Sequence, residues 1–495
     1  MSESYDVVVI GAGIGGLSAG LHLMDRGYKT LIVEDQPAPG GLCTSFERRG
    51  FTFDTCIHWL MGCNEGGMVR RPLEKFGLLD QVKLKRLDRY CTVRTADNQV
   101  TIGDDLAEFE RFLCRLAPAD EKRIMKFFKD ARSLPRMDIP SGDGPKNPLK
   151  AIRALLSAWP MISLMMKYGK QDYEVFLDKF AEKEKIRPYL EVFGDDCSVL
   201  MNFVVFSWVH QGDLYAPAIS SLDFARAFEQ KFASMGGKIR YRSRAAKIMV
   251  KEGKATGVKL ESGEEITARA VVSNADGCQT LFELLGREFV PPKLGEVYDS
   301  AQLFGSFLLV SLGVGVPFTE KDTPARMITE FPGPGVWTGR LGDLERGPLA
   351  YKIESLYNPA AAPPGKGVVL IEAPADYAEW RQLRESPAKY KEAKHWAEET
   401  AIRRAENAFP QIRGKVEVVD VATPVTFERY TGNREGSIQG WKPTPMMIRR
   451  MNLPYKPSAL PNFFMVGQWV SIGGGIPPSI TGGATVAGLV AKYLK

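Results

Sequence analysis

The hydrophobic pattern is most decisive at the amino terminus. Val7-Val8-Val9-Ile10 is an unbroken β-branched run, the pattern of a strand buried on both faces. Residues 17–26 carry Ala and Leu at packing intervals and predict a helix, which Gly27 ends. Residues 30–33 predict a second strand that finishes at Glu34. Further along, 236–241 reads as a turn into a strand. Residues 246–250, 257–260 and 266–272 predict a β-meander, with turns at Gly253 and Ser262-Gly263. Strands are predicted at 306–312, 368–373 and 416–422, a short buried strand at 462–467, and a closing helix over 483–494. The stretch 96–214 reads as largely helical. Within it, 151–168 is apolar and is expected to break or kink at Pro160. Residues 199–210 are almost wholly apolar, interrupted only by Asn202 and Ser207. No internal repeat or low-complexity tract interrupts these patterns.

The first strand runs directly into Gly11-Ala12-Gly13-Ile14-Gly15-Gly16, and the order strand, GxGxxG, helix, strand, acid is that of a dinucleotide site. Each glycine has a separate task. Gly11 permits the tight turn, Gly13 lets backbone approach a pyrophosphate, and Gly16 lets helix and strand pack closely. The helix amino terminus then presents free N–H groups and the positive end of its dipole to the phosphates. Glu34 stands where a carboxylate can bond ribose hydroxyls, and an acid there disfavours a 2′-phosphate.

Composition narrows the chemistry. The chain has 495 residues, 44% hydrophobic and 25% charged, an ordinary globular balance for two or three domains or one fold with a large insertion. Its four histidines never fall at metal-ligand spacing, so no metal site is expected. The net charge of +6 is not that of a nucleic-acid binder. It is, however, concentrated: residues 111–170 hold 13 Lys and Arg against 5 Asp and Glu, a net of +8. Seven cysteines with no CxxC pair predict free thiols in a reducing compartment. Residues 1–6 lead straight into a strand rather than a leader, and no run of 18 apolar residues predicts a spanning helix. The expected location is cytoplasmic, or peripheral on the inner face of the membrane.

Pro39-Gly40-Gly41-Leu42-Cys43-Thr44, followed by Gly50-Phe51-Thr52-Phe53-Asp54, resembles the FAD oxidoreductases related to amine oxidases and phytoene desaturases. Leu42 stands where most of that superfamily has Arg, and Cys56 where it usually has Gly. Gly473-Gly474-Gly475-Ile476-Pro477-Pro478, with a terminal Ala484-Thr485-Val486-Ala487-Gly488-Leu489 helix, is similar to phytoene desaturases, carotenoid isomerases and retinol saturases. The segment Thr423-Pro424-Val425-Thr426-Phe427-Glu428-Arg429-Tyr430 is similar to the isomerase and saturase branch.

The resemblance implies an α/β fold: a Rossmann-like FAD-binding domain with a β-meander, of the glutathione-reductase and amine-oxidase type, plus a mixed α+β substrate-binding cap. The FAD-binding domain is expected to be discontinuous, over 1–95, 215–290 and 455–495. A helical cap is expected over 96–214 and a substrate-binding sheet domain over 291–454. FAD is the implied cofactor. To the glycine-loop residues Gly11, Gly13, Ile14, Gly15 and Gly16 and to Glu34, the resemblance adds Gly40, Gly41, Thr44, Leu60, Ala246, Asn274, Gly467, Gly475 and Ile476 as cofactor-binding. The helix terminus near Gly475 would stabilise negative charge on the reduced flavin. His58, Trp59, Gln468 and Trp469 are the candidate catalytic residues. His58 either donates a proton or packs under the flavin and bonds backbone.

The implied activity is hydride transfer between flavin N5 and a long apolar polyene or isoprenoid, giving desaturation, saturation or isomerisation. With no second GxGxxG, electrons are expected to pass to or from a quinone, oxygen or a diffusible donor. An amine oxidase and a prenyl-binding escort protein without redox activity are the alternatives. Segment 151–168, flanked by Lys146, Lys150, Arg153, Lys167 and Lys170, is either a membrane-surface helix or a buried cap helix. Segment 199–210 is either core or the wall of a tunnel for a hydrocarbon.

Overall fold

The computed structural model describes residues 4–134, 148–169, 171–191, 198–321, 323–331, 333, 337–450 and 453–495. In chain order, β1 (Tyr5–Ile10) and β2 (Thr30–Val33) are joined by the helix Ile14–Met24. They pair in parallel, with Val7 beside Thr30 and Ile10 beside Val33. β3 (Ser45–Arg48) and β4 (Phe51–Asp54) form a hairpin, and β5 (Leu60–Met61), β6 (Leu84–Arg86), β7 (Arg89–Thr95) and β8 (Gln99–Gly103) follow. After the cap helices come β9 (Leu214–Pro217), β10 (Lys238–Arg240), β11 (Ala245–Lys251), β12 (Lys254–Leu260) and β13 (Glu265–Ser273). The last group is β14 (Ser306–Val314), β15 (Met327–Phe331), β16 (Leu349–Ile353), β17 (Gly367–Ala375), β18 (Val416–Ala422) and β19 (Phe463–Met465).

The first sheet has the order β10-β2-β1-β13-β12-β11, with β19 parallel to β13. Its parallel centre is covered on both faces, which is why β1 reads as a continuous apolar run. One face packs on the helices Ile14–Met24, Ser221–Ser234 and Ile476–Leu494, and the other on residues such as Tyr298, Trp441 and Trp469. The predicted meander is β11-β12-β13, antiparallel as expected.

The second sheet has the order β18-β14-β17-β16-β15-β7-β8. The boundary expected at residue 95 is corrected here. β7 runs parallel to β15 from Cys91 beside Met327 to Thr95 beside Phe331, so the second sheet claims the chain from Arg89 onward. Backbone pairing, which no local pattern in β7 announces, decides this. One face of the sheet packs on Trp380 and on the alanine stripe Ala393, Ala397, Ala401 and Ala405 of the helix Pro387–Ala408. The opposite face divides. Near β14 it meets Phe51 and Phe53 of the β3–β4 hairpin, and near β7 it meets the cap helices.

Two helices differ from expectation. The closing helix begins at Ile476, not at 483, because Pro477 and Pro478 occupy its first turn, where their missing N–H groups are not needed. The helix Pro148–Tyr168 runs on through Pro160 without a break. Among the described residues, no helix is long and apolar enough to cross a membrane. Lys146, Lys170, Pro332 and Pro334 lie outside the described residues.

Candidate active site

The glycine loop is built as its spacing predicts. Gly11 has φ +94°, a left-handed turn that L side chains rarely adopt. A side chain on Gly16 would overlap the carbonyl oxygen of Gly11, so helix and strand meet only because Gly16 has no Cβ. Gly40 N donates to Ala12 O at 2.9 Å, and Gly40 bridges to Gly13, so the second glycine pair runs alongside the first loop. Asn274, at the end of β13, locks the same corner: its N–H donates to Ile10 O at 2.8 Å, and its amide lies against Gly13, Gly15 and Gly467.

Glu34 is held by backbone. Oε2 accepts from Ala12 N at 2.6 Å and Oε1 from Gln36 N at 2.8 Å. Burial pushes its carboxyl above the ordinary value, and those two N–H bonds offset only part of that. It therefore ties the loop to β2 while still facing the cavity, since a carboxylate oxygen has a second lone pair.

A cleft of about 1160 Å³, its solvent-open part included, runs along this surface. Glu34, Ser243, Arg244 and Ala245 line one end, Gly11, Gly13, Ile14, Gly15, Gly40, Gly41 and Asn274 the middle, and Cys56, Gln468, Gly475 and Ile476 the other. The helix Ile476–Leu494 begins at that far end. Gly473, Gly474 and Gly475, with φ of +80°, +52° and +89°, turn the chain into it, and no side chain caps its amino terminus. The free N–H groups left there favour negative charge.

The other expected residues sit elsewhere. Gly16 and Gly467 shape the loop from behind. Leu60 is buried in the core below it, and Thr44 uses its carbonyl to hold Thr55 N at 3.2 Å. Ala246 is exposed while its neighbour Ala245 lines the cavity, because Ala246 is the extra residue of a bulge between Ala245, paired with Leu260, and Lys247, paired with Lys259. Trp469 does not face the cavity. It is buried against Trp441, with its indole N–H donating to Asn433 Oδ1 at 3.2 Å. Trp59 packs edge-on to Tyr90 at 4.7 Å, at the margin of the cap core. Cavity residues that sequence reasoning missed include Leu42, Cys43, Gln279 and the run Tyr430 to Asn433. The signal for that run was the conspicuous segment Thr423 to Tyr430, whose last residue begins it. The six described cysteines, Cys43 and Cys56 among them, are free thiols.

Beyond Asp54 lies a buried set of charges that no local motif announces. Lys352 Nζ is 2.9 Å from Asp54 Oδ1 and 3.4 Å from Glu354 Oε2. Arg326 Nη2 is 2.6 Å from that same Glu354 oxygen, and Arg326 Nη1 donates to His58 O at 3.0 Å. His58 Nε2 lies 2.6 Å from Glu372 Oε1. Asp54 also accepts from Ser221 Oγ at 2.8 Å and from the Ser221 N–H. Burial pushes the carboxyls of Asp54 and Glu372 up. For Asp54 the charge and hydrogen bond of Lys352 outweigh it, and for Glu372 those of His58, so both titrate below their ordinary values.

The profile of the flavin containing amine oxidoreductases matches residues 14–491. The chain belongs to this family. The chain is 26% identical to prolycopene isomerase 1 of an Oncidium hybrid cultivar, over 100% of this chain and 85% of the relative. It is 25% identical to the neurosporene-forming phytoene desaturase of Cereibacter sphaeroides, over 99% of this chain and 95% of that one. Among solved structures, an oxidoreductase from Methanosarcina mazei aligns with TM-score 0.62 at 18% identity, covering 97% of this chain and 99% of the other. As a member of this family the protein is an FAD-dependent oxidoreductase or isomerase, and its cofactor is FAD. The residues fit that cofactor. The glycine cradle leaves room where any Cβ would intrude, the loop and helix amino termini suit a diphosphate, and Glu34 faces the end that would hold the adenosine ribose.

Proposed function

We propose that this enzyme acts on carbon–carbon bonds of a long apolar polyene or isoprenoid, desaturating, saturating or isomerising it. Bound in the cavity, FAD supplies a two-electron hydride donor or acceptor. The protein's part is to bind, orient and exclude water. The observation that carries the reading is the junction at the far end of the cavity. There the apolar helix Val199–His210 reaches the glycine turn, with Met201 Cε 3.6 Å from where a Gly473 side chain would begin. Most of that helix packs as cap core with Phe127 and Phe128, and Met201 near its start reaches the glycine turn. The names of the relatives, an isomerase of prolycopene and a desaturase of phytoene, support the same substrate class.

We infer that such a substrate arrives from a membrane on which the cap docks. Along the helix Pro148–Tyr168, Leu156, Trp159 and Met166 are 67%, 57% and 66% exposed, at spacings of three and seven that put them on one face. This face, in the segment of net charge +8, suits an anionic membrane surface.

The decisive test is to reduce the bound flavin without oxygen and add polyenes. Stoichiometric flavin reoxidation with loss of a double bond marks a saturase. A changed double-bond geometry without net reoxidation marks an isomerase. Gain of a double bond by oxidised enzyme marks a desaturase. Turnover of amines with no effect on any polyene would overturn the reading.

A further inference from the structure

We propose that Glu372 is a positioning residue for His58: it holds a proton on Nε2 and so leaves Nδ1 as the imidazole nitrogen that exchanges a proton with the substrate side of the site. The inference rests on reading that site as the place of flavin and polyene chemistry.

The geometry holds His58 at two points. Its ring is fixed by Glu372 on β17 at 2.6 Å and its backbone carbonyl by Arg326, just before β15, at 3.0 Å. The segment after Asp54 is therefore clamped to the second sheet from two of its strands. Nδ1 has no protein partner among the described residues, and the side chain is 25% exposed while Glu372 is 11% exposed. Glu372 lies in a cross-strand row with Leu309 and Ala350. That row is on the sheet face shared between the hairpin and the cap, two residues along the chain from Leu370 in the Phe51–Phe53 cluster. His58 follows Cys56, which lines the flavin end of the cavity, by two residues. His58 thus sits in the chain between Cys56, which lines the cavity, and Trp59, which packs against the cap core.

The pair borders a buried set of charges. Asp54, Glu354 and Glu372 are three carboxylates, and Lys352 and Arg326 two cations, so these five groups sum to −1. The further groups facing it are Tyr357, under the Arg326 guanidinium at 5.6 Å, and the Trp59 ring at 5.7 Å from the imidazole.

The four histidines make ¹⁵N-histidine spectra of the holoenzyme tractable. At alkaline pH the wild-type His58 ring is expected to show Nε2 protonated and Nδ1 bare. Glu372→Leu is expected to lose that pattern and to lower kcat about 10-fold to 100-fold with KM unchanged. Glu372→Gln, which keeps an acceptor oxygen, is expected to retain the pattern and recover part of the rate. A wild-type ring protonated on Nδ1 would overturn the proposal even if the leucine variant failed to fold. So would an unchanged pattern in Glu372→Leu. Because the spectrum needs no substrate, failure of the polyene assignment leaves it readable.

Discussion

The ammonium of Lys352 lies 2.9 Å from the Oδ1 of Asp54, with the two side chains 1% and 2% exposed. The pair pins the strand β16 to the end of β4 and so fixes the second sheet against the residues that run along the flavin end of the cavity. Removing the cation leaves a carboxylate buried without its charge partner. Lys352→Met is therefore expected to lower stability by about 3 kcal/mol or more. The double variant Lys352→Met with Asp54→Asn should recover much of that loss. Denaturant midpoints of the holoenzymes measure both, and equal losses in the single and double variants would contradict the pairing.

Gly16→Ala puts a methyl group into the carbonyl oxygen of Gly11. Helix and strand must part to admit it, and the loop that cradles the diphosphate opens with them. The purified variant is expected to be colourless, with apoprotein failing to take up FAD at concentrations that saturate the wild type. Flavin absorbance after gel filtration reads the result directly.

Glu34→Gln replaces one of two oxygens that accept from Ala12 N and Gln36 N by an amide that can only donate. One backbone N–H then faces another, at a cost of about 1–3 kcal/mol. FAD affinity should fall about 10-fold to 100-fold, measured by quenching of free flavin fluorescence on titration with apoprotein.

His22 is buried edge-on to Phe76 at 4.8 Å, with neither ring nitrogen hydrogen-bonded. Burial first, and Lys75 second, lower its pKa from the ordinary 6.5 to about 4. Between those values the unfolded chain binds a proton that the folded chain refuses. Stability should therefore fall as pH drops from 6.5 towards 4, by up to about 3 kcal/mol. His22→Leu is expected to flatten that slope, and an unchanged slope would place its origin elsewhere.

Leu156→Glu together with Trp159→Glu removes two of the most exposed apolar groups of the cap. Each contributes about 1.5–3 kcal/mol when buried, so sedimentation with anionic vesicles should fall at least about 10-fold while flavin content is unchanged.

The sequence by itself determined the nucleotide-binding half. Val7 to Ile10, the glycines at 11, 13 and 16, and Glu34 lie within 28 residues, and their geometry is set by local backbone: a turn only glycine makes, a helix terminus, an acid at a strand end. The terminal glycines and prolines marked the second helix terminus for the same reason, although the prolines disguised where that helix begins. Tertiary structure alone decided how the second sheet meets the cofactor cavity. Lys352 is 298 residues from Asp54, and Glu372 is 314 from His58. A lysine within the strand Leu349–Ile353, or a glutamate within Gly367–Ala375, reads in isolation as an ordinary solvent-facing position. Trp469 likewise stands beside the flavin segment in sequence, yet its indole N–H bonds Asn433 and its ring packs edge-on with Trp441. Short-range steric rules are written in neighbouring residues, whereas pairing of buried charges depends on which distant strands the collapsed chain brings together, and that partner is absent from any local window.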